Sequence, residues 1–176
     1  MSRHLRSLVE VVGAALLLYI VVSLGVVTVT VNGASMQTTL ESGDLLLGAT
    51  FLGPRRGDVV IFGSAGDVGS GDLIKRVIAV PGDRLSIKGG EVRINGQMLN
   101  EDYIPEVWTK DVTWRAGKET PVPAGEYFLM GDNRNHSYDS RAIGFQRAQD
   151  IEAVAVLRIW PLLKVAPVAN DSQLGG

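Results

Sequence analysis

The stretch Gly71-Asp72-Leu73-Ile74-Lys75-Arg76-Val77-Ile78-Ala79-Val80-Pro81-Gly82-Asp83 decides how this chain is read. Aliphatic and β-branched residues run from Leu73 to a Pro-Gly break, the pattern of a strand. Over 73–80, period-two alternation puts Leu73, Lys75, Val77 and Ala79 on one face and Ile74, Arg76, Ile78 and Val80 on the other. Lys75 therefore has aliphatic neighbours on its own face. Two readings follow. Desolvation disfavours the ammonium, lowers its pKa and makes the lysine a base near neutral pH. Alternatively, the side chain snorkels to the surface from an edge strand. The strand alone does not choose between them.

Working outward, short runs bounded by turn signals predict further strands over 44–47, 58–62, 84–88, 91–94, 127–130 and 153–160. Gly89-Gly90 and Asn95-Gly96 read as tight hairpin turns, and Pro54 and Pro123 as breaks. No helical period is sustained beyond residue 31, and no internal repeat is visible. Residues 97–125 carry no clear pattern, and 170–176 read as a loose tail. Abundant glycine and few aromatics favour a turn-rich β architecture over a helical bundle. The expected fold is mainly β, an antiparallel β-sheet domain over 32–169.

That domain is preceded by an uncharged apolar run over 11–31. At about 1.5 Å per residue, such a run as a helix matches the roughly 30 Å hydrocarbon core of a bilayer. Arg3 and Arg6 precede it, whereas the first basic residue beyond it is Arg55, with Glu41 and Asp44 on that side. The positive-inside tendency then places 1–10 in the cytoplasm, a single transmembrane helix over 11–31, and 32–169 outside the cell membrane. A cleaved leader is the rival, but its apolar core is usually about 7–15 residues, and Gly33-Ala34-Ser35 is a weak cleavage match.

Composition narrows the chemistry. A net charge of −2 gives no basic footprint for nucleic acid. The absence of cysteine removes disulfides, thiolate metal sites and a cysteine nucleophile. His4 and His136 lie on opposite sides of the apolar run, so no histidine metal site and no metal or other cofactor are expected. Two further clusters matter: Gly33-Ala34-Ser35-Met36-Gln37-Thr38-Thr39-Leu40, and Gly131-Asp132-Asn133-Arg134-Asn135-His136-Ser137-Tyr138-Asp139-Ser140-Arg141-Ala142-Ile143-Gly144. A serine beside a membrane exit is ordinarily linker, but Gly33 and Ala34 let a substrate backbone approach it closely. The second cluster, dense in short polar side chains and opposite charges, is either a solvated turn or a network that orients a catalytic pair.

Taken together, the clusters resemble the bacterial type I signal peptidases. Those enzymes carry a Ser-Met box just outside the membrane, matched by Ser35-Met36, and an Arg-Gly-Asp-Val-Val box, matched by Arg56-Gly57-Asp58-Val59-Val60. A Lys-Arg-Val box ending in Pro-Gly-Asp and a Gly-Asp-Asn-Arg-Asn-x-Ser-x-Asp-Ser-Arg box match 75–83 and 131–141. The resemblance implies a membrane-bound serine endopeptidase that removes signal peptides from exported preproteins, in contact with membrane lipid and near the export machinery. By resemblance Ser35 is the nucleophile, Lys75 the general base, and Ser137 a hydroxyl that hydrogen-bonds the lysine. Asp139 and Arg141 form an ion pair that holds the loop, with Arg76 and Asp132 as further supports. Small substrate residues at positions −1 and −3 would meet aliphatic pockets near Met36.

Two departures stand out. The Ser-Met box commonly continues x-Pro-Thr, but here it is Gln37-Thr38-Thr39, which frees one φ angle and restores an amide donor without touching the chemistry. Some members place a serine two positions before the nucleophile. Gly33 stands there, leaving backbone amides, chiefly that of Ser35, to hold an oxyanion. A specialised Ser/Lys peptidase maturing a dedicated substrate such as a conjugative pilin is a second reading, and a non-enzymatic membrane-tethered β module a third. Self-cleaving Ser/Lys repressors are excluded by the apolar run and the lack of a DNA-binding domain.

Overall fold

The computed structural model of the chain describes residues 3–63, 72–104, 108 and 112–168. The tail expected over 170–176 lies outside them. Helix α1 (Arg3–Gly25) leads into strands β1 (Val26–Thr30), β2 (Leu45–Ala49), β3 (Val59–Gly63), β4 (Asp72–Ala79), β5 (Arg84–Lys88), β6 (Glu91–Ile94) and β7 (Gln97–Met98). After these come β8 (Thr120–Pro121), β9 (Glu126–Met130), the short helix α2 (Ser140–Ile143), β10 (Gln146–Arg147), β11 (Ile151–Trp160) and β12 (Ala166–Pro167). A larger sheet runs β1-β2-β11-β3-β4-β9-β10 with β12 beside β11, and a smaller one runs β7-β6-β5-β8. Every pairing among these strands is antiparallel, as expected from the short strands and tight turns.

Strand β4 lies between β3 and β9, with Val60 opposite Lys75 and Met130 opposite Arg76. It is an interior strand, and Lys75 is only 2% exposed, so the snorkelling reading does not hold. The expected face is partly kept: Leu73 and Val77 pack with Val60, Phe62, Leu129 and Val154. Ala79 instead joins Ile78 against the smaller sheet, because the pairing with β9 slips between Val77 and Ala79. A bulge of this kind breaks period-two alternation. Beneath the smaller sheet, Trp114, Phe128 and Phe145 meet edge to face, with centroids 4.8–5.7 Å apart. Both hairpin turns fall where expected. Gly89-Gly90 and Asn95-Gly96 have positive φ at both positions, which the I′ type of turn requires.

The apolar run over 11–31 is not one helix. The helix ends at Gly25, and Val26-Val27-Thr28-Val29-Thr30 pairs residue by residue with β2. The reason is local: the five residues are β-branched, a composition that favours the pleated strand over the helix. Gly25 marks the change, since a Cβ there would come within 2.7 Å of the Phe51 ring. Among the described residues, no helix is long and apolar enough to cross a membrane.

Candidate active site

Ser35 sits on the loop between β1 and β2. Gly33 adopts φ +95°, a conformation that side chains strongly disfavour, and turns the chain into the loop. Met36 and Leu40, one helical turn apart and joined by a Leu40 N–H to Met36 C=O bond of 2.9 Å, drop into the core with Val31, Leu46 and Ile61. They plug the loop into the sheet and leave the half-buried Ser35 at its surface. Met36, expected beside a substrate pocket, is thus 1% exposed and part of that core.

From β4, Lys75 reaches the same point. Its Nζ donates to Ser35 Oγ at 2.7 Å and to the Ile74 carbonyl at 3.0 Å. Burial pushes the Lys75 ammonium below its ordinary pKa; the charges of Asp139 and Asp132 oppose this, and that of Arg141 adds to it. A lysine in this setting is more readily neutral, and a neutral amine can accept the serine proton.

The 131–144 stretch is a hydrogen-bonded network rather than a solvated turn. Asp139 receives Arg141 Nε at 2.8 Å and Nη2 at 2.7 Å, and the Gly131 amide at 3.0 Å. Burial works against the Asp139 carboxylate, but these donors prevail and hold its pKa below the ordinary value. Asp139 also caps α2 through the Arg141 amide. Arg76 grips Asp132 with two bonds of 2.8 and 2.7 Å, both side chains fully enclosed, and its Nη1 donates to the Gly57 carbonyl. Asp132 in turn accepts from Thr39 Oγ1 at 2.6 Å, which ties this ion pair to the serine loop. Ser137 Oγ, expected against Lys75, makes no hydrogen bond to it; it is buried, with the Asp139 carboxylate as its polar neighbour. The packing at this point requires glycine: a Cβ on Gly131 would collide with Ser137 and stand 2.5 Å from the Ser35 carbonyl oxygen.

Several contributors were not foreseen. The Asn133 amide donates to the Ser35 carbonyl and its Nδ2 to the Ala34 carbonyl, both at 3.0 Å. In the unread 97–125 region, a turn at 101–104 brings Glu101 and Tyr103 onto Arg134. Nothing in local spacing announced this, because the partners lie 31 and 33 residues away. Among the described residues, no group of three His, Cys, Asp or Glu could hold a metal ion.

The chain resembles known proteins over most of its length. Residues 4–160 match the family model for signal peptidase, peptidase S26. A signal peptidase I from Leptolyngbya laminosa is 40% identical over 138 residues, 73% of this chain and 66% of that protein. One from Bacillus caldolyticus is 37% identical, covering 77% of this chain and 80% of its own. Signal peptidase IB of Staphylococcus aureus is 32% identical, covering 89% and 90%. A solved signal peptidase I from Enterococcus faecalis is 34% identical, covering 58% of this chain and 97% of that one with a TM-score of 0.49. The chain thus spans a little under two thirds of the first relative and most of the others. It belongs to the peptidase S26 family of bacterial type I signal peptidases.

Proposed function

We propose that this chain is a membrane-held serine endopeptidase that removes signal peptides from exported preproteins, with Ser35 as nucleophile and Lys75 as general base. The observation that carries the proposal is the buried Lys75 Nζ 2.7 Å from Ser35 Oγ. A serine hydroxyl needs a base to become a nucleophile. His136 does not reach Ser35 in any hydrogen bond, whereas Lys75 does. Neutral Lys75 takes the Ser35 proton as Oγ attacks the scissile carbonyl. The oxyanion is held by backbone N–H groups, chiefly that of Ser35. The ammonium then protonates the leaving amine, and the regenerated amine activates the water that hydrolyses the acyl-enzyme. Asp139 and Arg141 keep the 131–141 loop in place, and Ser137 completes the wall beside the pair. The Arg76–Asp132 pair fixes the base strand to that loop and, through Thr39, to the nucleophile.

Membrane attachment is part of the same proposal. From Val11 to Tyr19 every residue of α1 is apolar and exposed, Val12, Leu16, Leu17 and Tyr19 among them, and a stretch of helix apolar on every side needs a cover other than water. Phe51 and Leu52, beside the end of α1, extend that apolar surface. Arg3 and Arg6 would hold the N-terminus in the cytoplasm, so a reporter fused after Val168 should read as extracytoplasmic. The decisive experiment incubates the purified chain with a preprotein and weighs both products by mass spectrometry. A cut at the signal-peptide junction that Ser35→Ala abolishes supports the proposal, and a chain that leaves the preprotein whole overturns it.

A further inference from the structure

Immediately downstream of Ser35 a cleft of about 240 Å³ opens between Gln37, Thr38, Ile104 and the 132–136 stretch. Neither Ser35 nor Lys75 lines it. It is nevertheless close to both: Gln37 is two residues from the nucleophile, at most about 7 Å of extended chain. Asn133, on its floor, is the residue whose amide and side chain hold the Ser35 and Ala34 carbonyls. A polypeptide laid across the Ser35 hydroxyl passes this opening within a few residues of the bond being cut.

The wall formed by Ile104 is fixed by an unusual amount of buried charge. Arg134, 4% exposed, donates to both carboxylate oxygens of Glu101, to Tyr103 Oη at 3.1 Å and to the Gly131 carbonyl at 3.0 Å. Tyr103 Oη donates onward to Glu101, and burial pushes its phenol pKa up, so it stays protonated. The Tyr103 ring lies 4.2 Å beneath the Arg76 guanidinium, next along the strand to the base. Burying ion pairs adds little stability over apolar packing of the same shape, but it does hold groups in one place. Here the group held is the 101–104 turn, whose last residue faces the cleft.

The lining sets the ligand. Gln37, Thr38, Asn133, Asn135 and His136 are polar, Ile104 is the apolar wall, and the charges of Asp132 and Arg134 are already paired. The volume falls below the roughly 300–1,000 Å³ of small-molecule sites. Resting on the peptidase reading above, we infer that this cleft is a substrate subsite for one small-to-medium uncharged side chain of the polypeptide near the scissile bond. Ile104 determines its size, and Glu101 and Tyr103 are positioning residues for that wall.

A library derived from one preprotein tests this, with each position from four before to four after the cut varied singly. Ile104→Trp should lower kcat/KM about tenfold or more for bulky residues at one position other than −1 and −3, chiefly through KM, while substrates with glycine there stay within about twofold. Ile104→Ala, which introduces no clash, should widen acceptance at the same position. Tyr103→Phe, which keeps the ring but loses the bond to Arg134, should blur it. Profiles unchanged at every position in the Ile104 variants, or a loss uniform across all side chains, would overturn the subsite. A wild-type enzyme that cuts no member of the library would overturn the peptidase reading itself.

Discussion

The two residues of the candidate pair are held by different means. Lys75 is in the middle of β4, flanked by β3 and β9, and its position is that of the larger sheet. Ser35 is on a loop, placed by the Met36 and Leu40 plug, by Asn133 across from it, and by the Thr39–Asp132 bond. Lys75 is therefore as rigid as the fold, whereas Ser35 depends on a handful of side chains from distant parts of the chain. Damage to the apolar packing of β3, β4 and β9 around Lys75 should appear as lost stability, and damage to the contacts that place Ser35 as lost turnover in a protein that still folds.

The largest effect tests whether the contrast in support hides a unity of function. Ser35→Ala and Lys75→Ala should each lower kcat by about a thousandfold or more, and the double variant should be no worse, because residues that act as a unit are not additive. A Lys75→Ala enzyme with near-normal turnover would end the dyad reading.

Next comes the link between the two regions. Asp132→Ala leaves Arg76 enclosed without its carboxylate and removes the acceptor of Thr39. Breaking a buried pair on one side costs about 3–5 kcal/mol. Urea unfolding should register that loss, with turnover falling as well because the serine loop loses a tether. A stability change below about 1 kcal/mol would mean that the pair is not a structural joint.

Asn133→Ala should sharpen the contrast further. The backbone bond to the Ser35 carbonyl survives, while the side-chain bond to Ala34 is lost, a change worth about 1 kcal/mol. With that loss falling on the placement of Ser35, the expected outcome is about a fivefold fall in kcat and only a small shift in the midpoint of unfolding. Equal losses in stability and turnover would show that the loop is held by the fold as firmly as β4.

The sequence was legible where one signal acts locally. The β5–β6 and β6–β7 turns are dictated by Gly89-Gly90 and Asn95-Gly96, and β4 by its aliphatic run up to Pro81. It was misleading at 26–30, because an apolar run continuous with a helix gives no period by which to separate a buried strand from more helix. Only the change to β-branched residues after Gly25 marks the boundary. It was silent on Glu101 and Tyr103, whose purpose is visible only once the chain folds them onto Arg134. The Ser35–Lys75 approach was expected from the resemblance alone, since the strand pattern left the lysine's role open.

The smallest effect follows from the burial of Lys75 itself. Its pKa in the fold is lowered, chiefly by desolvation, from an unfolded value of about 10.4. The proposed mechanism needs the neutral amine, so kcat/KM should rise with pH through that lowered value, giving an acidic limb below that of a free lysine. The stability effect has the same origin. Between the folded and unfolded values the unfolded chain binds more protons, so stability rises with pH across that window, and below it the fold carries the full penalty of a buried ammonium. Lys75→Met removes the charge at similar length and should raise Tm at neutral pH, by about 2–4 °C for each kcal/mol recovered in a chain of this size. The advantage should fade as pH approaches 10.4, while activity is absent throughout. Lys75→Arg keeps the charge, cannot deprotonate in this range, and should be inactive with no gain in Tm. An acidic limb no lower than that of a free lysine, or a Lys75→Met protein that melts below the wild type at pH 7, would mean that Lys75 is retained for its charge and not as a base.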